Sequence, residues 1–328
     1  MNIGIVTPMA GRSWTGNRAT AERWHRMISG LGHAVEIRES FEGESWDVLV
    51  ALHARKSFDS IARFRAHDES RPILVVLTGT DVYQDLPADD VSVMRALEIA
   101  DRLIVLQPRA IDELPEAVRG KACVIYQSLS APQEAEDASD EANRDGEAFD
   151  VVVIGHLRPV KDPMRTALAA RDLPDTSRVR ITHFGAALDE AFAREARAEQ
   201  SRNPRYRWLG ERPREEVLAV LSRADVLVHP SVFEGGANVV SEAIVHGVPV
   251  LASRTGGNVG LLGDDYPGYF EVGDTASLTS LLERSEGDAS FLDELRRAIR
   301  ARQPRFTPEA EIEAWRKLLD AIEARHDA

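Results

Sequence analysis

The sequence predicts an α/β protein made of two doubly wound parallel-sheet domains. The first observation is that strand-like and helix-like runs alternate along the chain, at the spacing typical of parallel sheets. The second is that this alternation restarts after an acidic segment in the middle of the chain. The third is the length, because 328 residues accommodate two ordinary domains.

The first domain is predicted over residues 1–132. Its strand-like runs are short apolar stretches that end at small or polar residues, and its helical runs carry apolar side chains at helical spacing. Strands are expected at residues 2–7, 34–37, 48–52, 73–77, 103–106 and 122–126, and helices at 17–30, 57–66 and 91–100.

A solvated acidic linker is predicted over residues 133–148. Between Gln133 and Asp150 lie eight acidic residues and one basic residue, with hardly any apolar side chain. Such a segment cannot bury enough apolar surface to fold. It carries half of the net charge of −14, so the charge excess says little about a binding site. An acidic chain is not a general nucleic-acid binder, and no nucleic-acid partner is expected.

The second domain is predicted over residues 149–305, and a C-terminal helix is predicted within 306–328. Strands are expected at 150–154, 179–184, 206–209, 226–229 and 249–252, with helices after Asp162, over 188–200 and from Arg214. The final segment has an apolar stripe at helical spacing, which is expected to pack back on the first domain. This stripe consists of Ile312, Trp315, Leu318, Leu319 and Ile322.

Composition narrows the class of protein further. With 43% apolar residues the chain can bury a core, yet no apolar run approaches the roughly 20 residues of a membrane span. The N-terminal apolar run is short and follows no basic segment, so it is interpreted as a first strand rather than a signal peptide. A single cysteine, Cys123, excludes an internal disulfide and a cysteine-rich metal site. We therefore expect a cytoplasmic protein without a membrane partner.

The most informative motif is PSVFEGGANVVSEAIVHGVPVLAS, at residues 230–253. A loop of small residues leads into a short helix, whose first N–H groups and positive dipole end suit a phosphate. Helical side chains tilt toward the helix N-terminus, so the second glutamate is placed for ribose hydroxyls and the first for a hexose. The expected ligand is a sugar nucleotide, bound by Glu234, Gly235, Gly236, Ala237, Asn238 and Glu242.

This carboxylate spacing resembles the E-x7-E signature of family 4 glycosyltransferases of the retaining type. The resemblance implies the GT-B fold, with two facing Rossmann-like domains and a C-terminal crossover helix. It extends to residues 155–161, GHLRPVK, which resemble a family element whose basic pair neutralises the donor diphosphate. Lys161 matches the lysine of that element. His156 stands where the family has arginine, so either His156 or Arg158 supplies the second contact.

Such charges are required because a departing nucleoside diphosphate gathers negative charge. No strand ends in an Asp-x-Asp pair, and Asp264 and Asp265 lie in a loop without an acidic partner nearby in sequence. Neither a metal ion nor another cofactor is therefore expected.

The loops that follow the strands of the first domain are rich in cations and hydroxyls. Because the carboxyl ends of parallel strands lie on one side of a sheet, these loops are expected to form one site. Their groups suit a small oxyanion rather than a glycan or a lipid. Each charged residue is alternatively an ordinary surface side chain, and Asp81 alternatively caps a helix. The candidates are Arg12, Ser13, Gly16, Asn17, Arg18, His53, Arg55, Lys56, Thr78, Thr80 and Asp81.

Segments in both halves give a narrower resemblance, including TGNRATAERW, LVALHARKS, LTGTDVY, GHLRPVKDP and NPRYRWLGE. In these segments the chain is similar to the selenosugar synthases of bacterial selenoneine biosynthesis. That resemblance implies transfer of a hexose from a UDP-sugar, typically UDP-N-acetylglucosamine, to selenophosphate, with release of UDP and phosphate. Enzymes that supply selenophosphate and consume the selenosugar are implied as pathway partners. The residues expected to be catalytic are His53, Glu234 and Lys161.

Three alternatives stay open. An ordinary family 4 transferase would use a carbohydrate, lipid or thiol acceptor, and the basic loops disfavour it. A UDP-sugar 2-epimerase of the same fold would consume its substrate without any acceptor. A sugar-nucleotide sensor would bind without turnover, and the two glutamates together with Lys161 disfavour it.

Overall fold

The structure is a computed structural model, and it describes residues 1–8, 16–129 and 148–326. The chain divides into two compact units. Unit 1 comprises Met1–Ser128, Glu234–Asn238 and Pro308–Ala328, and unit 2 comprises Leu129–Phe233 and Val239–Thr307. Nearly all of the predicted acidic linker, residues 133–148, lies outside the described residues.

Unit 1 is built on a parallel sheet with the strand order β2-β1-β3-β4-β5-β6. Every residue of β3 and β4 is buried, as expected for central strands covered by helices on both faces. The strands are β1 (Asn2–Val6), β2 (Ala34–Arg38), β3 (Val48–Leu52), β4 (Ile73–Leu77), β5 (Arg102–Val105) and β6 (Ala122–Val124). The helices are α1 (Gly16–Gly30), α2 (Phe58–His67), α3 (Val91–Ile99), α4 (Arg109–Asp112) and α5 (Glu116–Arg119).

Unit 2 has a second parallel sheet, with the order β12-β11-β10-β7-β8-β9. Its strands are β7 (Phe149–Ile154), β8 (Val179–Phe184), β9 (Tyr206–Gly210), β10 (Val226–His229), β11 (Val250–Ser253) and β12 (Tyr269–Phe270). Its helices are α6 (Arg165–Arg171), α7 (Glu190–Arg202), α8 (Arg214–Leu221), α9 (Asn238–Val245), α10 (Gly256–Leu262), α11 (Thr275–Gly287) and α12 (Ala289–Arg300). The first residue of α9, Asn238, groups with unit 1. The two sheets confirm the predicted fold class.

The last helix, α13 (Pro308–His326), completes the core of unit 1. Its residues Trp315, Leu318, Leu319 and Ile322 are buried in the same apolar cluster as Trp24 of α1, and the two tryptophan rings pack edge to face at 4.9 Å. Ile312 of the predicted stripe is only partly buried.

A buried carboxylate fastens the start of α13. Glu311 accepts hydrogen bonds from the Trp24 indole nitrogen at 2.6 Å and from the Ser128 backbone nitrogen at 2.7 Å. It also forms an ion pair with Arg23 at 3.2 Å. These partners satisfy the buried carboxylate, which therefore fixes the start of α13 together with the apolar stripe.

The strand orders locate one switch point in each sheet, where chain connections leave in opposite directions. In unit 1 it lies between β1 and β3, and in unit 2 between β7 and β10. Ligands of open α/β sheets bind outside the carboxyl ends of the strands at such points. The connections that follow these four strands, together with the one after β4, hold the candidate site residues.

In the part of the chain that the structure describes, no helix combines the length and the apolar character that crossing a lipid bilayer requires.

Candidate active site

His53 follows β3 at the switch point of unit 1 and is held in an unusual state. Its backbone has φ of 72°, a left-handed conformation that is costly for a residue other than glycine. The side chain is 2% exposed, and both ring nitrogens are buried without a hydrogen-bond partner. Buried polar atoms are nearly always paired, so an unpaired imidazole at a switch point indicates a ligand position.

Asp81 holds His53 and the neighbouring loop in place. One carboxylate oxygen accepts hydrogen bonds from the nitrogen and the hydroxyl of Thr78, at 2.9 and 2.7 Å. The other accepts from the Ala54 nitrogen at 2.9 Å and lies 3.6 Å from Nδ1 of His53. Asp81 is fully buried and opens a π-helical turn, Asp81–Asp85, a rare element that is frequent at functional sites. Asp81 therefore ties together the loops after β3 and β4.

Burial lowers the pKa of His53 below its ordinary value, and the charge of Asp81 opposes that shift only in part. The imidazole is consequently neutral near pH 7. A neutral ring presents one N–H donor and one acceptor nitrogen. His53 can therefore donate a hydrogen bond to an anion without being an ionised acid.

The predicted cations of unit 1 lie nearer the surface. Arg55 is exposed and pairs with Asp85 at 3.0 Å, Lys56 is also exposed, and Arg18 pairs with Glu22 at 2.9 Å. Gly16 and Asn17 form the first turn of α1, and Thr78 and Thr80 are partly exposed. The predicted contacts of Arg12 and Ser13 lie outside the described residues.

The loop Glu234–Asn238 belongs to unit 1, where it packs on the loop after β4. A Cβ atom added at Gly235 would lie 2.4 Å from the Gly79 nitrogen, and one added at Gly236 would lie 2.5 Å from Cβ of Leu106. Only residues without a Cβ atom fit at these two positions. The glycine pair thus has a packing role in addition to the phosphate binding that its sequence pattern predicts. Glu234 itself is partly buried beside these glycines.

In unit 2, a small pocket opens at the switch point between β7 and β10. Gly155, Lys161, His183 and Ser231 are among the residues that line it. The stem of Lys161 passes 3.7 Å from the position that a Gly155 Cβ would take, which is an ordinary van der Waals distance. The Ser231 hydroxyl is buried without a hydrogen-bond partner. Neither Ser231 nor His183 was singled out from the sequence, because no local pattern marks them.

His183 is a structural residue of this pocket. Its Nδ1 pairs with the Tyr206 hydroxyl at 2.9 Å and its Nε2 with the Gly155 carbonyl at 3.1 Å. Complete burial lowers the pKa of His183 to about 4. The neutral ring therefore supports the glycine loop instead of reaching a ligand.

The geometry distinguishes His156 from Arg158. The Ala186 backbone nitrogen donates to Nδ1 of His156 at 3.1 Å, and burial lowers the pKa of His156. A neutral ring whose Nδ1 accepts a hydrogen bond carries its proton on Nε2. His156 thus has a fixed donor nitrogen, whereas Arg158 is exposed.

Glu242, on α9, is held by a residue that the sequence analysis did not select. The guanidinium of Arg214, the first residue of α8, lies 2.7 Å from Oε1 of Glu242. The Glu242 side chain is 7% exposed and that of Arg214 is 45% exposed. The two residues are distant in sequence, so no spacing rule could have linked them.

Over the described ranges, no three His, Cys, Asp or Glu side chains are gathered as metal ligands would be.

Two doubly wound sheets, each with polar residues at its switch point, define a two-domain α/β transferase. Residues 134–302 match the family model described as glycosyl transferases group 1, and the chain belongs to this family of glycosyltransferases. It is 26% identical over 272 residues to Glycosyltransferase 1 domain-containing protein 1 of Xenopus tropicalis, covering 76% of this chain and 78% of that protein.

Solved structures share the fold. Sucrose-phosphate synthase from Thermosynechococcus elongatus superimposes with a TM-score of 0.79 at 18% identity, covering 99% of both chains. Anabaena HepE in complex with UDP gives a TM-score of 0.77 at 16% identity, covering 98% of this chain and 99% of that chain. Identities this low establish the common GT-B architecture only.

Proposed function

We propose that this glycosyltransferase joins the hexose of a UDP-sugar, UDP-N-acetylglucosamine, to selenophosphate through a carbon–selenium bond. Family membership supports the glycosyl transfer, and the likeness to HepE, which was solved with UDP, supports a uridine nucleotide. The assignment of selenophosphate as the acceptor rests on the state of His53 and on the resemblance to selenosugar synthases. The observation that supports it most strongly is the buried His53 imidazole, whose two nitrogens have no hydrogen-bond partner.

The proposed reaction has two balanced steps. In the first, the selenium atom of selenophosphate attacks the anomeric carbon, and the bond from that carbon to the diphosphate oxygen breaks with its electron pair leaving on UDP. In the second, water cleaves the selenium–phosphorus bond, giving the selenol of the sugar and inorganic phosphate. Because selenols persist only under reducing conditions, we place the reaction in the cytoplasm. Other enzymes must supply selenophosphate and consume the selenosugar.

Residues of unit 2 bind the nucleotide part of the donor in this proposal. Lys161 and Nε2 of His156 neutralise the departing diphosphate, as fixed cations and N–H groups do for developing charge. Glu242 accepts hydrogen bonds from the ribose. The short loop Glu234–Asn238, which belongs to unit 1, adds backbone N–H groups, and the Glu234 carboxylate receives hexose hydroxyls. Arg158 remains a peripheral contact because its side chain is exposed.

Unit 1 supplies the acceptor-side groups. A neutral His53 donates an N–H to an oxygen of selenophosphate, while Arg55 and Lys56 attract the anion from the surface. The loop of Thr78 and Thr80 offers hydroxyls. An extended glycan or a lipid would instead need apolar or aromatic side chains around the loops. Selenium in selenophosphate is already ionised and soft, so His53 need not act as a strong base.

No metal ion or organic cofactor takes part in the proposal. The phosphate charge is met by Lys161, His156 and backbone N–H groups instead. We therefore expect turnover to continue in the presence of EDTA.

The decisive assay incubates the full chain with UDP-N-acetylglucosamine and selenophosphate under anaerobic reducing conditions, followed by mass analysis and by assays of UDP and phosphate. The expected products are a selenium-bearing N-acetylglucosamine, UDP and phosphate. Thiophosphate replaces selenophosphate in a parallel reaction, and a reaction without acceptor detects epimerisation. Release of UDP without a selenium-bearing sugar would contradict the acceptor assignment, and conversion without any acceptor would identify an epimerase.

A further inference from the structure

The ion pair between Arg214 and Glu242 joins a half-exposed cation to a buried carboxylate. The guanidinium nitrogen lies 2.7 Å from Oε1, a short charge-assisted contact. Arg212, two residues earlier, pairs with Glu216 at 3.8 Å, and both of those side chains are well exposed. An exposed pair of that kind contributes little, whereas removing one partner of a buried charge leaves the other uncompensated.

The position of Glu242 makes its orientation important. It lies on α9, directly after the glycine loop, and only 5% of its surface is accessible. A carboxylate that selects hydroxyl groups must point its oxygens toward them. A ligand that lacks one hydroxyl then leaves a buried oxygen without a hydrogen bond and binds more weakly. A carboxylate has about four lone-pair sites on its two oxygens, and a contact with one guanidinium nitrogen occupies only part of that capacity.

We propose that Arg214 is a positioning residue for the nucleotide: its guanidinium holds the Glu242 carboxylate oriented to accept hydrogen bonds from the ribose hydroxyls. Arg214 itself does not contact the nucleotide. This inference rests on the proposed function, since it names the group of the UDP-sugar that the pair recognises. We therefore expect Arg214 to control the selectivity for ribose over its deoxy forms rather than the overall affinity for the nucleotide.

The test measures binding of UDP, 2′-deoxy-UDP and 3′-deoxy-UDP by calorimetry. The variants are Arg214→Ala, Arg214→Lys and Glu242→Gln, with Arg212→Ala as the matched surface control. We expect wild-type protein to bind at least one deoxy analogue roughly 10- to 100-fold more weakly than UDP. That ratio should fall to within about threefold in Arg214→Ala, which loses the orientation of the acceptor, and in Glu242→Gln, which loses the carboxylate itself.

Arg214→Lys keeps a positive charge and should recover part of the ratio, while Arg212→Ala should match wild type. Recovery by lysine also shows that the chain folds when position 214 is changed, and circular dichroism checks each variant.

Several results would overturn the inference. An unchanged ratio in Arg214→Ala would remove the positioning role. An equal loss of affinity for all three ligands would mean that Arg214 contacts another part of the nucleotide or only supports the fold. Tighter binding of UDP by Arg214→Ala would mean that the arginine competes with the ribose. Absence of any UDP binding to wild-type protein would instead contradict the proposed function, and the inference with it.

Discussion

The two switch points of this glycosyltransferase differ in how they hold polar groups. In unit 1, the buried Asp81 carboxylate accepts hydrogen bonds from the partly exposed Thr78 and lies 3.6 Å from Nδ1 of the buried His53, at the ends of β3 and β4. In unit 2, Lys161 and His156 are only partly buried, and His156 is oriented by the backbone nitrogen of Ala186. One site therefore depends on a buried carboxylate, and the other on partly exposed side chains and a backbone contact.

This difference agrees with the two kinds of ligand that we propose. A diphosphate that enters and leaves at every turnover suits a site of accessible cations and N–H groups, because removing water from such groups costs little free energy. A small reactive anion needs a donor whose place is fixed in advance, and the buried Asp81 network fixes His53 in a strained conformation. Substitutions in unit 1 should thus affect turnover, and substitutions in unit 2 should affect nucleotide affinity.

The largest effect is expected for Asp81→Ala. It leaves the buried nitrogens of Ala54 and Thr78 without their acceptor, which should lower the free energy of unfolding by about 3 kcal/mol. Turnover should fall at least about 100-fold because His53 loses its orientation. Denaturant titration and the selenophosphate assay measure these changes. The control is Asp85→Ala, which removes a pair with the exposed Arg55 and a smaller effect of charge on His53 than that of Asp81, and it should cost about 1 kcal/mol.

If Asp81→Ala matched Asp85→Ala in both stability and turnover, the network of unit 1 would carry no special role.

His53→Asn sharpens the comparison without disturbing the fold. Asparagine tolerates the left-handed backbone at this position, so stability should be largely retained. Turnover with selenophosphate should fall roughly 10- to 100-fold, since the donated hydrogen bond to the anion is lost. The dissociation constant for UDP should stay unchanged. Steady-state kinetics and calorimetry on the same preparation separate these two quantities, and unchanged turnover would remove His53 from the mechanism.

His156→Ala and Arg158→Ala test unit 2. Loss of the fixed Nε2 donor should weaken UDP binding roughly 10-fold, because a single hydrogen bond is removed. Loss of the exposed Arg158 should change it by less than about threefold. Calorimetry with UDP and with uridine, which lacks phosphate, shows whether the effect is on the diphosphate. A larger effect for Arg158→Ala would assign the missing family arginine to that residue.

The smallest effect concerns the pH dependence of stability. Burial lowers the folded pKa of His183 to about 4, whereas the unfolded residue titrates near 6.5. Between these values the unfolded chain binds a proton that the folded chain does not, so stability falls as pH falls. In His183→Gln the side chain at this position does not titrate. From pH 7 to pH 5 this variant should therefore lose roughly 1–2 kcal/mol less of its free energy of unfolding than wild-type protein loses.

Equal pH dependence in wild type and His183→Gln would show that the ring is protonated in the folded state.

Much of the fold follows from local sequence. The strands Val48–Leu52, Ile73–Leu77, Val179–Phe184 and Val226–His229 have the predicted bounds. Val179–Phe184 largely alternates apolar and polar residues, and the other three are nearly continuous apolar runs. The short elements α4, α5, α10 and β12 were not predicted, and neither were α11 and α12. Elements this brief have no clear period, and α11 has polar residues on much of its surface.

The site was predictable as a set of loops but not as a set of contacts. Parallel topology places the ends of β3 and β4 together, yet it does not show that Asp81 would bond Thr78 and Ala54 instead of capping a helix. Likewise, no sequence pattern links Arg214 to Glu242. Such contacts arise from packing of elements distant in the chain. The direct ligand contacts of the predicted residues stay predictions.

The central claim is that unit 2 binds the uridine nucleotide and unit 1 binds a small anion. A crystal structure of the protein grown with UDP and thiophosphate tests this most directly. We predict the diphosphate against Lys161 and His156, the ribose against Glu242, and thiophosphate within hydrogen-bond distance of His53. UDP bound away from Lys161 and Glu242, or thiophosphate absent from His53 at saturating concentration, would contradict it.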